Sequence, residues 1–199
     1  MNIRPSAAEC LGTFLLALLV HLSIGAHFPV PTPVIAGLTL GLIVYMLGSV
    51  SGAHVNPAVT IALASIGKIS WSEALRYVLA QIIGGLLALL FGNALVGALS
   101  LTAGSSAVIL ASEALGAAIL VLGVSSVVHG KAPHDASGLT IGTALALGAL
   151  AASAQSNGVV NPAVALGIGS LSIAYVLGPI IGGIVAAQLY QALVKQSQA

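Results

Sequence analysis

Residues 51–63 read SGAHVNPAVTIAL, and they set a helix-starting signal directly behind one long apolar run and directly ahead of another. Asparagine is a strong N-cap and proline is favoured at the first helical position, so Asn56-Pro57-Ala58 opens a helix where a membrane span should be ending. The same knot recurs as Asn161-Pro162-Ala163 in SNGVVNPAVALGIG, residues 156–169. A single tripeptide is an ordinary helix start. Two copies flanked alike point to a paired device.

The surrounding chain is membrane material. Of 199 residues, 58% are hydrophobic and 5% charged, against roughly 25% charged in a soluble domain; mean hydropathy is +1.13. The 24 glycines suit helices that approach closely in lipid, and the apolar runs lack the alternation of barrel strands. A net charge of +1 leaves no basic surface for nucleic acid. The lone Cys10 excludes an internal disulfide and reads as packing, and no spacing of residues marks a metal site or calls for a cofactor. A signal peptide could be read from Arg4, the apolar stretch and "IGA" at 24–26, but Glu9 lies inside it.

Windows of about 20 apolar residues, enough to cross about 30 Å of hydrocarbon, predict spans near 7–26, 33–50, 74–97, 108–129, 137–155 and 172–194. The leftover stretches 57–66 and 162–169 reach only about half the membrane at about 1.5 Å per residue. With six spans, Arg4, Lys68, Arg76, Lys131 and Lys195 all fall on one side, as the positive-inside rule requires of the cytoplasm. Both termini are then cytoplasmic, and the expected location is the plasma (inner) membrane.

An internal repeat aligns AECLGTFLLALLV (8–20) with SEALGAAILVLGV (112–124), GLTLGLIV (37–44) with GLTIGTAL (138–145), and QIIGG (81–85) with PIIGG (179–183). Three spans per copy force the second to insert upside down. The chain therefore reads as one domain over 1–199, with inverted repeats of about 1–100 and 105–199. The two knots would meet near the midplane from opposite faces, where irregular backbone is tolerated only if buried in protein or lining water. A pore is the simplest reason for that arrangement: its paired positive dipole ends oppose cations while the Asn amides donate to a passing neutral oxygen. Transporters also use broken helices and inverted repeats, so ion-coupled transport stays open at this point. Nothing resembles a nucleophile–base set or phosphate loop, which argues against an enzyme.

In family order, AECLGTF, SGAHVNPAVT, YVLAQIIGG, SEALG and the second NPA resemble the aquaporin and glycerol-facilitator family over nearly the whole chain. The resemblance implies an all-α membrane protein of six spans plus two re-entrant half-helices in an inverted repeat, an hourglass. It also implies a passive channel for water and small neutral solutes in the lipid bilayer, assembled as a homotetramer. Asn56 and Asn161 would face the pore, backbone carbonyls of Gly52, Ala53, His54 and Val55 and of Asn157, Gly158, Val159 and Val160 would line two vestibules, and Glu9 and Glu113 would accept hydrogen bonds from the loops. By residue type alone, Glu9 could instead snorkel to the interface. His21 and His129 read as helix contacts or interface residues, and His27 and His134 as loop residues.

The sequence departs from the family where a filter arginine normally follows the second NPA: that position is Val164. Gap-free alignment places the other filter positions at Ala36, Ala149 and Gly158, so the outer filter is expected to be wide and uncharged. Such a filter admits water together with glycerol, urea, ammonia or dissolved gas, or, as the alternative, leaks protons or cations. Whether Leu40, Tyr45 or Leu145 refills the space is a matter of packing that the sequence leaves open.

Overall fold

The computed structural model describes residues 3–196. The helices are α1 (Arg4–Gly25), α2 (Thr32–Ser51), α3 (Pro57–Ser65), α4 (Trp71–Val96), α5 (Ala107–Val128), α6 (Ser137–Ala152), α7 (Pro162–Gly167) and α8 (Ile173–Gln196), with a 3-10 turn at His134–Ala136. Among the described residues six helices are long and apolar enough to span a bilayer; α3 and α7 are the two half-length pieces. The expected spans hold to within a few residues. α1 and α4 begin three residues early, and α6 stops at Ala152 rather than 155 because Ser153 to Ser156 turn toward the second re-entrant loop.

Each half repeats the other element for element. α1 packs on α4 as α5 packs on α8, and the half-helices cross over: α3 lies against α8, and α7 against α4. Large apolar side chains such as Leu38, Leu75, Leu90 and Val185 point outward, as spans that solvate themselves in lipid require. At one end of the bundle Lys68 Nζ reaches Val128 O at 3.4 Å, bringing the α3–α4 and α5–α6 connections to the same face, as the charge pattern predicts.

The halves join along α2 and α6 through glycine. A Cβ placed on Gly37 would lie 2.5 Å from Gly142 O, and one on Gly41 would lie 2.9 Å from Gly138 O; the reciprocal positions clash in the same way. The two backbones touch with no side chain between them, the close approach that small residues permit in membrane helices. Gly142→Val is therefore expected to wedge α2 from α6 and cost about 1–3 kcal/mol or more, as overpacking does. A lowered melting temperature in detergent checks it.

Candidate functional site

Each re-entrant loop is built from a capped half-helix and a buried carboxylate. Asn56 Oδ1 accepts from Ala58 N at 2.8 Å, and Asn161 Oδ1 accepts from Ala163 N at 3.0 Å and Val164 N at 3.3 Å, so both asparagines are N-caps as their position after an apolar run requires. Glu9 is 0% exposed, which removes the snorkelling alternative. Its oxygens accept from Ser51 Oγ (2.6 Å), His54 N (3.0 Å), Val55 N (2.7 Å) and Gln81 Nε2 (2.7 Å). Glu113, equally buried, accepts from Ser156 Oγ (2.7 Å), Val159 N (3.0 Å) and Val160 N (2.6 Å). The glutamine has no counterpart there, because the repeat places Pro179 at that point of α8.

The loops are tied crosswise. Asn56 Nδ2 donates to Val160 O at 3.0 Å, and Asn161 Nδ2 donates to Val55 O at 2.9 Å. Val55 and Val160 both have positive φ, +40° and +49°, a conformation that costs a β-branched residue of order 1–3 kcal/mol. Each strained valine is held at both ends, its N–H by the carboxylate of its own half and its C=O by the asparagine of the other.

This geometry divides the loop carbonyls. Those of Val55 and Val160 are occupied by the crossed amides. Those of Gly52, Ala53, His54, Asn157, Gly158 and Val159 accept no protein hydrogen bond among the described residues, while the loop N–H groups of Ala53, Gly158 and Asn157 turn away to Ser51 Oγ, Ser156 Oγ and Tyr175 OH.

Two cavities are lined by these loop residues. The inner, of about 610 Å³, is lined by Gly52, Ala53, His54, Val55 and Asn56 with Leu40, Tyr45 and Leu120 among others. The outer, of about 280 Å³, is lined by Asn157, Gly158, Val159 and Val164 with Ala36, Ala149 and Ser153 among others. Every inferred filter position thus borders the outer cavity. Val160 borders neither; its side chain is 0% exposed and packs toward Gly116. Pro57, Ala58, Pro162 and Ala163 also border neither cavity and serve as helix-start and packing residues, with Ala163 O against Gly85 and Ala58 O near Gly183. Leu40 and Tyr45 stay on the inner side, whereas Leu145 borders both cavities.

The remaining histidines divide between support and surface. His54 Nδ1 lies 3.2 Å from Thr60 Oγ1. His21 is fully buried, with Nδ1 3.1 Å from Gly167 O and Nε2 3.2 Å from Gly97 O, tying the last turn of α7 to the end of α4. His129 bonds back to Ser125 O at 2.8 Å. His27 lies in a turn, and His134 in the exposed turn before α6. Sequence reasoning misses Ser51, Ser156 and Gln81 as partners of the acids; the signal available was that each serine stands five residues before the asparagine of its own knot.

Comparison with known proteins adds likeness to this geometry. The family model for Major intrinsic protein matches residues 1–190. A probable aquaporin of Arabidopsis thaliana is 38% identical over 102 residues, covering 48% of this chain and 37% of its own length. A probable glycerol uptake facilitator protein of Thermotoga maritima is 52% identical over 48 residues, 24% of this chain and 20% of its own. The matched segment thus spans little more than a third of these relatives at most. The X-ray structure of the aquaglyceroporin from Plasmodium falciparum superposes with a TM-score of 0.71 at 22% identity, covering 96% of both chains, a likeness of fold.

The carboxylate scaffold makes a direct forecast. In Glu9→Gln and Glu113→Gln an amide NH₂ would face backbone N–H groups, at about 1–3 kcal/mol for each donor left unpaired. Thermal unfolding in detergent is expected to rank Glu9→Gln as the more destabilised, since Glu9 holds the additional Gln81 amide.

Proposed function

Because this chain belongs to the major intrinsic protein family, we propose that it is a passive transmembrane channel for water and small uncharged solutes, with both termini cytoplasmic in a plasma membrane and a homotetrameric assembly. The observation that carries the reading is the meeting of the two cavities at Asn161, the one capping asparagine that borders both. A solute entering the inner cavity exchanges water for the unpartnered carbonyls of Gly52, Ala53 and His54, and in the outer cavity for those of Asn157, Gly158 and Val159. At the midplane the second N–H of each asparagine, left over from the crossed bond, donates to the solute oxygen. The N-termini of α3 and α7 converge there, and their positive dipole ends oppose cations.

Ala36, Ala149, Gly158 and Val164 act as a wide, uncharged outer filter in this reading, which widens the solute range toward glycerol, urea, ammonia or dissolved gas. A second reading rests on the same feature: among the described residues neither cavity is lined by lysine or arginine, which leaves only the half-helix dipoles to repel protons and monovalent cations. A voltage-clamp current carried by such ions favours it.

Proteoliposomes in osmotic and solute gradients are expected to swell faster than empty vesicles; equal rates overturn the channel. Val164→Arg sets a guanidinium into the outer cavity and is expected to reduce permeation of glycerol or urea more than that of water. Unchanged flux ratios in the two proteins would remove Val164 from the filter.

A further inference from the structure

The inferred filter positions border the outer cavity alone, which raises the question of where solutes are discriminated. Among the described residues only Leu16, Leu145 and Asn161 line both cavities. Leu16 comes from α1 and Leu145 from α6, one from each half, and both are nearly sealed from solvent at 2% and 4% exposure. The third shared residue is Asn161, whose Oδ1 and one amide hydrogen are already engaged. The residues common to the two cavities are thus two leucines and one asparagine with a single available N–H.

The outer chamber selects little by contact. Ser153 donates to Ala149 O at 2.7 Å, and Asn157 Nδ2 is spent on Thr102 O and Ser170 Oγ at 3.2 and 2.7 Å. Around them stand Val20, Ile24, Leu101 and Ile168. In a chamber of about 280 Å³ a solute trades part of its hydration for the carbonyls of Asn157, Gly158 and Val159, and it loses the rest on reaching the leucines, where the apolar side chains return no hydrogen bond. The cost of passage rises with the width of the solute and with the number of polar groups it must strip at the leucines, and a tight apolar neck also resists wetting.

Resting on the channel reading, we propose that Leu16 on α1 and Leu145, about one turn of α6 before Ala149, are the residues that determine which solutes pass. The outer filter positions then form an antechamber, and selection by charge and hydrogen bonding at the mouth is replaced by selection by width and dehydration at the midplane.

Water and glycerol fluxes measured in the same proteoliposome preparations test the assignment. Leu16→Ala and Leu145→Ala are each expected to raise the glycerol-to-water ratio about tenfold, a change of about 1.4 kcal/mol in relative barrier. Leu90→Ala, on an outward face at 65% exposure, controls for general loosening and is expected to leave the ratio alone. Leu145→Phe narrows the same passage without opening a cavity and is expected to suppress glycerol before water. An unmoved ratio in water-permeable Leu16→Ala and Leu145→Ala vesicles overturns the proposal, and so does a proportional loss of both fluxes in Leu145→Phe if the alanine variants do not fold. Wild-type vesicles no faster than empty ones overturn the channel reading, and this proposal with it.

Discussion

The structure depends on two relays, each running from a carboxylate through a strained valine to an asparagine of the opposite half: Glu9 to Val55 to Asn161, and Glu113 to Val160 to Asn56. In hydrocarbon a peptide group without a partner costs several kcal/mol, so a chain that abandons helical bonding at the midplane must satisfy each loop donor by other means. The carboxylates take the N–H groups on the protein side. What remains without a protein partner in the loops that line the cavities is a row of carbonyls, so the polarity of these loops follows from where the donors have gone. The left-handed valines are the bend that turns the two kinds of group to opposite sides.

The relays also explain why the rest of the bundle is so closely packed. Half-helices that donate and accept across the midplane must be held at fixed height, and α3 and α7 are therefore pinned against spans of the other repeat, with Ala163 O on Gly85 and Ala58 O near Gly183. The glycine contact between α2 and α6 closes the remaining side. Symmetry is kept where it bears on the relays and lost where it does not: Gln81 reinforces Glu9, whereas Pro179 stands at its counterpart.

Much of this is legible in the sequence because it rests on local rules. Asn-Pro caps, apolar windows and the one-sided lysines and arginines each report on their own neighbourhood, and they yield six spans, two half-helices and an inverted repeat. The repeat also sets Glu9 and Glu113 at equivalent places, in AECLG and SEALG, each in the same half as the knot it supports. What is not legible is long-range. Nothing in SGAHVNPAVT says that the asparagine reaches into the other repeat, that the carbonyls of Val55 and Val160 are thereby withdrawn from the passage, or that Leu16, an ordinary leucine in a row of leucines, stands at the junction of the two cavities. Gap-free alignment infers the filter positions from their distance to the knots; the residues shared by the two cavities come from helices of different halves, which no local pattern brings together.

The crossed amide bonds carry a consequence for biogenesis. Val55 is synthesised more than a hundred residues before Asn161, the group that satisfies its carbonyl. Until the second repeat has been made, the first re-entrant loop lacks the donor that the Val55 carbonyl has in the finished structure. Neither half is a finished folding unit, and the final structure forms only when two oppositely oriented segments dock within the bilayer. The translocation machinery must therefore shelter, or the bilayer hydrate, an unfinished loop for the time that half a chain takes to emerge.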